Sequence, residues 1–130
     1  ETKRVTLTLT VPRAKLWSPD EPHLYRAAIQ LGSHDAIDQT FGIRTLKWDA
    51  DKGFFLNGVR TELKGTCNHQ DHAGVGAALP DALQDFRIKK LKEMGCNAYR
   101  TSHNPPTPEL LDACDRLGRR PRGQHHKQQQ

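Results

Sequence analysis

The sequence predicts a mixed fold in which a few antiparallel β-strands are followed by alternating strands and helices. Near the start of the chain, apolar residues alternate with polar ones, and this period of two is typical of a strand with one buried face. After residue 60, short β-compatible runs alternate with helical segments that carry start and stop signals. The two patterns divide the chain into a β-rich first part and a second part with both element types.

Three candidate strands occupy the first part. Val, Leu, Leu and Val alternate with Thr over residues 5–11, which predicts the first strand. The turn-rich segment LWSPDEPH leads to a second strand over residues 24–31, and a third is predicted over residues 37–46. Three strands joined by turns predict part of an antiparallel sandwich.

A β-hairpin is predicted around Asn57 and Gly58. Apolar residues flank this dipeptide, and Asn-Gly accommodates the two positive φ angles of a type I′ turn. A strand over residues 61–65 is expected to follow and to run into a long loop with glycines, histidines and no periodicity.

Two helices are predicted in the second part. Asp81 is expected to cap the first, with Gln84 completing a capping-box-like pair, and Gly95 to end it. Its apolar face is expected to consist of Leu83, Phe86, Leu91 and Met94. Thr107 as N-cap and Pro108 at the first helical position begin the second helix.

A short strand over residues 97–101 lies between the helices, and Gly118 is expected to end the second helix. The order is therefore strand, helix, strand, helix, with spacing suited to a right-handed parallel unit. The chain of 130 residues is too short for a complete (β/α)8 barrel, which needs about 250. If the two units belong to such a barrel, the loops after Lys64 and Thr101 lie where barrels place active sites.

The charge distribution argues against a nucleic-acid partner. The net charge is +5, but residues 119–130 supply four positive charges and no acid, which leaves +1 for residues 1–118. No apolar run approaches the roughly 20 residues of a membrane span. The chain is therefore expected to bind neither nucleic acid nor membrane.

Cys67, Cys96 and Cys114 are odd in number and form no CxxC pair, so reduced thiols are expected. The opening residues ETKRVTLTLT lack the apolar core of a signal peptide, and a cytoplasmic location is predicted. Zinc is one alternative for the polar loops, whose donors are Cys67, His69, Asp71, His72 and His103. The spacing of these donors matches none of the usual zinc templates.

Four segments, in this order, resemble glycoside hydrolase family 2: LWSPDEPHLY, FGIRTLKWDADKGFFLNGVRTELKG, TCNHQDHAGVG and EMGCNAYRTSHNPPTPELLDACDRLG. The combination of NHQDH and NAYRTSHNPP is the most specific. The resemblance implies the C-terminal part of an immunoglobulin-like β-sandwich over residues 1–47. It also implies the first two β/α units of a truncated TIM (β/α)8 barrel over residues 48–118, with residues 119–130 a disordered basic and Gln-rich tail.

The resemblance is closest to β-galactosidases, which cleave terminal non-reducing β-D-galactose with retention. It implies that His69 and His103 contact the sugar, and that Arg100 orients the nucleophile. Asn68, Asp71 and Asn104 are expected to add hydrogen bonds to the sugar or to its other contacts. Trp17 and Trp48 are expected to be packing residues, because neither lies in a strand-end loop.

The resemblance ends at Gly118, before the acid/base and nucleophile glutamates of the family. Only Asp71 among the remaining acids lies in a predicted strand-end loop, so no catalytic pair is expected and the chain alone is predicted to be inactive. No cofactor is expected either, since the magnesium ligands of the parent family lie further downstream. The parent enzyme is expected to be a homo-oligomer that acts on a β-galactoside or related glycoside.

The sequence leaves two alternatives open. In the first alternative, the parent enzyme is a β-glucuronidase or β-mannosidase, since these enzymes share much of the matched region. In the second, the chain is a noncatalytic carbohydrate-binding or interaction module that uses its sandwich strands and the NHQDH loop.

Overall fold

The computed structural model describes residues 4–118 and 120–122. The elements are, in chain order, β1 (Tyr25–Leu31), β2 (Asp35–Phe41), β3 (Leu46–Asp49), β4 (Gly53–Leu56), β5 (Val59–Arg60), β6 (Gly65–Asn68), α1 (Asp81–Glu93), β7 (Ala98–Thr101), α2 (Pro108–Leu117) and β8 (Arg120–Arg122). They form an antiparallel β1-β2 pair, an antiparallel sheet β3-β4-β5 and a parallel sheet β6-β7-β8.

The first part of the chain only partly follows its prediction. Strand β1 matches the second predicted strand, while the third is divided into β2 and β3 by residues 42–45. The strand predicted over residues 5–11 is wrong, and the Leu7 and Leu9 side chains are 77% and 84% exposed. Alternation alone does not make a strand. Its backbone needs a neighbour to hydrogen-bond with, and none of the described strands pairs with this segment.

The hairpin between β4 and β5 is confirmed. Asn57 and Gly58 have φ angles of 52° and 79°, both positive as a type I′ turn requires. The strand predicted over residues 61–65 is wrong, because β6 begins only at Gly65. The backbone N–H of Lys64 is bonded instead by the Asn97 side chain, 2.8 Å away, just before the chain comes alongside β7.

Strands β6, β7 and β8 are parallel, and α1 and α2 connect them, so the predicted strand–helix–strand–helix order is confirmed. Helices and sheet share one apolar core. It consists of Ile88, Tyr99, Leu110, Ala113 and Cys114, all at most 7% exposed. Burial of these side chains holds the two helices against one face of the parallel sheet.

Helix α2 begins and ends as predicted. The Thr107 side chain accepts a hydrogen bond from the Leu110 N–H, Pro108 is the first helical residue, and Gly118 ends the helix with a φ of 74°. Neither helix is long and apolar enough to cross a membrane, as far as residues 4–118 and 120–122 are concerned.

Helix α1 differs from its prediction at its start and in its buried face. Pro80 is the N-cap and makes no side-chain cap bond, and Asp81 is the first helical residue. The Phe86 and Met94 side chains are 50% and 72% exposed, whereas Ile88 is fully buried. The prediction is wrong for Phe86 and Met94, whereas Leu91 packs against the core as expected. Contact with Tyr99 and α2, rather than the spacing of large apolar residues, selects which side of α1 is buried.

The predicted tail also needs a correction. Arg120–Arg122 forms β8 and pairs in parallel with β7, with Ala98 opposite Arg120 and Arg100 opposite Arg122. The expectation of a disordered tail is therefore wrong for these three residues. Parallel pairing through backbone groups does not require apolar side chains. Residues 119 and 123–130 lie outside the described part of the chain.

Trp17 connects the first part of the chain to the helices. Its side chain is only 1% exposed, its backbone N–H donates to the Ile43 carbonyl at 2.7 Å, and its indole Nε1 donates to the Asp115 carbonyl at 2.8 Å. The packing role predicted for Trp17 is confirmed. Trp48 is 55% exposed and packs against the Phe54 ring, with a centroid separation of 4.6 Å.

Candidate functional site

The two histidines singled out in the sequence lie side by side. His69 directly follows β6, and His103 lies two residues beyond the end of β7. Their rings meet edge to face, with centroids 5.8 Å apart and planes at 84°. Parallel pairing explains the contact, because it sets the C-terminal ends of β6 and β7 together, with Asn68 opposite Thr101. We call the loops of residues 69–80 and 102–106 the rim.

The two loops of the rim are hydrogen-bonded to each other. The Asn104 amide Nδ2 donates to Gln70 Oε1 at 2.6 Å, and the Ser102 N–H donates to the Asn68 carbonyl at 2.9 Å. The peptide bond between Ser102 and His103 is cis. One side-chain bond and one backbone bond therefore fix the positions of the two histidine-bearing loops relative to each other.

Three further residues of the first loop region take different positions. The Asn68 amide is occupied locally, since Nδ2 donates to both the carbonyl and the hydroxyl oxygen of Thr66 at 2.9 Å. Asp71 is exposed. The His72 N–H donates to the Gly76 carbonyl at 2.9 Å, which closes a small turn within the loop. Only Asn68 of these three lines the cavity described below.

Arg100 lies on the face of the sheet opposite the helices. Side chains alternate along β7, and its neighbour Tyr99 is buried against α1 and α2. Arg100 Nη1 donates to Ser102 Oγ at 3.0 Å and approaches Cys67 Sγ at 3.4 Å. The contact between Arg100 and Cys67 lowers the pKa of the Cys67 thiol, because the guanidinium stabilises the thiolate. Arg100 is therefore already held by two neighbours on its own sheet.

A cavity of about 30 Å³ lies between the rim and the helices. Its lining residues are Asn68, His69, Gln70, Gln84, Arg87, Tyr99, Thr101, Ser102, Asn104, Pro105, Pro106, Thr107 and Leu110. A space of this size holds about one water molecule and not a sugar ring. This cavity therefore does not accommodate a sugar.

Arg87 is a functional candidate that the sequence reasoning missed. Its Nη2 donates to the backbone carbonyl of His69 at 2.8 Å, while its Nη1 is buried and has no hydrogen-bond partner within the described residues. Its charge also reaches Tyr99, whose pKa is raised by burial and lowered in smaller part by Arg87. An arginine inside a basic helix carries no sequence signal for a contact with a loop carbonyl.

The donors considered for zinc do not converge. In the part of the chain that the structure describes, no three His, Cys, Asp or Glu side chains are grouped so that they could hold a metal ion. The rim carries the imidazoles of His69, His72 and His103, the Asp71 carboxylate and the amide groups of Gln70 and Asn104.

Comparison with known families identifies the domain that carries this rim. Residues 49–119, a little over half of the chain, match the model for the TIM barrel domain of glycosyl hydrolases family 2, and residues 1–44 match a second model of the same family. The chain belongs to glycosyl hydrolase family 2. The rim thus lies at the strand ends of a TIM barrel domain, on the side where such barrels place active sites.

The similar proteins are bacterial glycosidases. The chain is 45% identical over 117 residues to the beta-galactosidase BoGH2A of Bacteroides ovatus, covering 87% of this chain and 14% of that protein. A beta-glycosidase structure from Bacteroides vulgatus superposes with a TM-score of 0.78 at 41% identity, over 84% of this chain and 15% of that one. For Bacteroides uniformis beta-glucuronidase 3 the TM-score is 0.77 at 38% identity, over 87% and 15%.

These family 2 relatives are named both for galactosides and for glucuronides. Membership of the family shows that the chain is a fragment of a glycoside hydrolase. It does not distinguish a galactosidase from a glucuronidase. The chain spans about one seventh of the length of these relatives.

Proposed function

We propose that this chain forms one side of the sugar pocket of a retaining enzyme that cleaves terminal non-reducing β-D-galactose. The observation that carries the proposal is the 5.8 Å separation of the His69 and His103 rings at the rim. Each neutral imidazole offers one donor and one acceptor, so two adjacent rings suit the neighbouring hydroxyl groups of one sugar. The 45% identity to a protein named beta-galactosidase supports galactose as that sugar.

The other rim residues take supporting roles in this proposal. Asn104 holds the two loops together through Gln70, Asp71 supplies a further hydrogen bond near the sugar, and Asn68 supports the sugar contacts indirectly by ordering the end of β6 through its bonds to Thr66. Arg100 orients the nucleophile carboxylate of the whole enzyme, since a planar fork of five donors fixes a carboxylate well. Its position on the sheet face opposite the helices is consistent with that role.

The chain by itself is proposed to be inactive. A retaining glycosidase needs two carboxyl groups about 5 Å apart, one as acid/base and one as nucleophile. Of the acids in the described residues, Asp71 is the one that lies in a loop at the C-terminal end of a barrel strand. Purified chain should therefore release no chromophore from a chromogenic β-galactoside, and turnover above the blank without contaminating enzyme would refute this.

A galactose titration followed by NMR tests the binding proposal. Chemical shift changes centred on His69 and His103 support it. Changes centred on β1 and β2 instead support a noncatalytic carbohydrate-binding module, and no change at either place refutes a galactose site in this chain.

A glucuronide is the second candidate substrate, because several of the similar proteins are named beta-glucuronidase. Glucuronic acid differs from galactose by a carboxylate, which needs a cationic partner. A parallel titration with glucuronic acid separates the two. Tighter binding of galactose at the rim supports the galactosidase proposal. Tighter binding of glucuronic acid refutes it and supports a glucuronidase instead.

A further inference from the structure

Arg87 connects helix α1 to the loop that carries His69. The helix places the guanidinium below the rim, where Nη2 donates to the His69 carbonyl at 2.8 Å. This contact joins residues 18 positions apart and belongs to neither strand pairing nor helix capping. It fixes the backbone of the residue whose ring we expect to touch the sugar.

The position of Arg87 is itself restrained. Its side chain lines the cavity together with Tyr99, which is 2% exposed, and its helix is held in the core through Ile88 at 0% exposure. A rigid planar fork loses less freedom than a lysine when it forms such a bond. The His69 carbonyl is therefore held by a side chain that has little freedom to move.

The backbone of His69 sets where its ring lies relative to His103. The second loop is tied to the first through Asn104 and Gln70, but that bond starts one residue beyond His69. If the Arg87 bond is removed, the His69 carbonyl loses its only side-chain donor in the described part of the chain. The backbone after His69 is then less restrained, and we expect the Cα and ring of His69 to shift relative to His103.

We propose that Arg87 is a positioning residue, which holds the His69 backbone so that the His69 and His103 rings present one sugar-binding surface. The expected change in galactose affinity rests on the proposed function. The expected change in the contact between the His69 and His103 rings does not. Arg87 itself touches no sugar, and its effect on binding passes through His69.

The test compares three variants of the full chain: Arg87→Met, Arg87→Lys and the control Lys89→Met. Lys89 lies on the same helix and is exposed, so the control removes the same charge without touching the loop. The first readout is the nuclear Overhauser contact between the His69 and His103 ring protons. The second is galactose affinity from the NMR titration, and retained amide signals of β7 and α2 establish the fold.

We expect Arg87→Met to lose the ring contact and to bind galactose about tenfold more weakly, the equivalent of one hydrogen-bonded contact. Arg87→Lys keeps a cation and one donor, and its contact and affinity should fall between wild type and Arg87→Met. Lys89→Met should match wild type. This graded order is not expected if Arg87 only stabilises the fold.

Two outcomes overturn the inference: an unchanged ring contact in Arg87→Met, or the same loss in Lys89→Met. Galactose binding by the wild-type chain distinguishes a failure of this inference from a failure of the proposed function. Wild-type chain that binds no galactose refutes the function proposed above, while the ring contact still decides whether Arg87 positions His69. If Arg87→Met proves unfolded, Arg87→Lys alone decides, and a wild-type ring contact and affinity in that variant count against the inference.

Discussion

The indole Nε1 of Trp17 donates a 2.8 Å hydrogen bond to the backbone carbonyl of Asp115, 98 residues further along the chain. Arg44 lies over the same indole ring, 4.7 Å from its centroid, and the charges of Arg44 and Asp115 attract each other. Burial raises the pKa of Asp115, and Arg44 partly offsets that rise. One buried side chain therefore fastens the β-rich part of the chain to α2.

Replacing Trp17 with phenylalanine should destabilise the chain. The smaller ring loses part of the packing of a side chain that is 1% exposed, and the partly buried Asp115 carbonyl loses its donor, at a total cost of about 1–3 kcal/mol in the free energy of unfolding. Urea unfolding followed by circular dichroism measures the change. The control is Trp48→Phe, at a side chain 55% exposed, for which we expect a loss below about 1 kcal/mol. Equal losses in the two variants would contradict the prediction.

Gly118→Ala should destabilise the chain more than Gly95→Ala. Both glycines have positive φ, 74° and 80°, so both variants carry backbone strain of about 1–2 kcal/mol. At Gly118 the added Cβ would also lie 2.1 Å from the Pro19 carbonyl oxygen, whereas at Gly95 nothing lies within 4 Å. An extra loss of about 1–3 kcal/mol is expected at Gly118. Thermal unfolding of both proteins tests it, and similar melting temperatures would argue against the close contact with Pro19.

Thr107→Ala should weaken the start of α2. The variant loses the hydroxyl that accepts from the Leu110 N–H at 3.3 Å, and caps of this kind contribute about 1 kcal/mol. Thr107→Ser keeps the oxygen and should retain most of the stability. Hydrogen exchange at the Leu110 amide provides a local readout: it should speed up in the alanine variant and stay near wild type in the serine variant. Unchanged exchange in both would show that the cap bond does not protect this amide.

The Asp85–Arg116 ion pair should make stability depend on pH. Arg116 donates to Asp85 at 2.8 Å, and this bond is the largest cause that lowers the pKa of Asp85. The folded pKa is then below the unfolded one, so the stabilisation is complete above the ordinary pKa and disappears as pH falls through the lowered value.

We expect Asp85→Asn to lower the free energy of unfolding by about 0.5 kcal/mol at neutral pH, because the Arg116 side chain is 55% exposed and water screens the pair. The difference from wild type should begin to shrink as pH falls below the ordinary aspartate pKa of about 4, and should vanish once pH is below the lowered value in the folded state. Urea unfolding at a series of pH values measures it. Glu93→Gln, which breaks an exposed pair within α1, is the control. A difference that persists at low pH would exclude the charge as its cause.

His69→Ala and His103→Ala should each weaken galactose binding about tenfold, since each removes one imidazole from the shared surface. His72→Ala is the matched control. It lies in the same loop, and the contact of His72 with Gly76 is made by backbone atoms that the substitution leaves in place. The NMR titration measures all three affinities. Equal weakening in His72→Ala would mean that the loop as a whole, rather than the two facing rings, binds the sugar.

The features that followed from the sequence depend on short stretches of chain. The turn at Asn57 and Gly58, the Thr107 cap and the stop at Gly118 each need only a few neighbouring residues with particular φ angles or hydrogen-bonding groups. The proximity of His69 and His103 could be inferred as well. It follows once two strands are taken to be parallel neighbours, because His69 comes one residue and His103 two residues after the end of its strand.

The failures have a different physical origin. Residues 5–11 alternate well, yet a strand depends on a partner that local pattern does not specify. The buried face of α1 depends on where Tyr99 lies, so Phe86 was expected inside and Ile88 was overlooked. Arg87 was missed for the same reason, since its contact with a backbone carbonyl leaves no trace in the composition of the loop.

The ammonium group of Lys92 donates to the carbonyls of both Pro19 and Leu117, each at 3.0 Å. Pro19 precedes the barrel units in sequence but sits against the ends of both their helices. An excised barrel segment that began near residue 48 would therefore lack an acceptor at this point, and the cover over Gly118 with it. A shortened chain should keep residues 17–19, because these residues precede the barrel segment in sequence but pack against its helices.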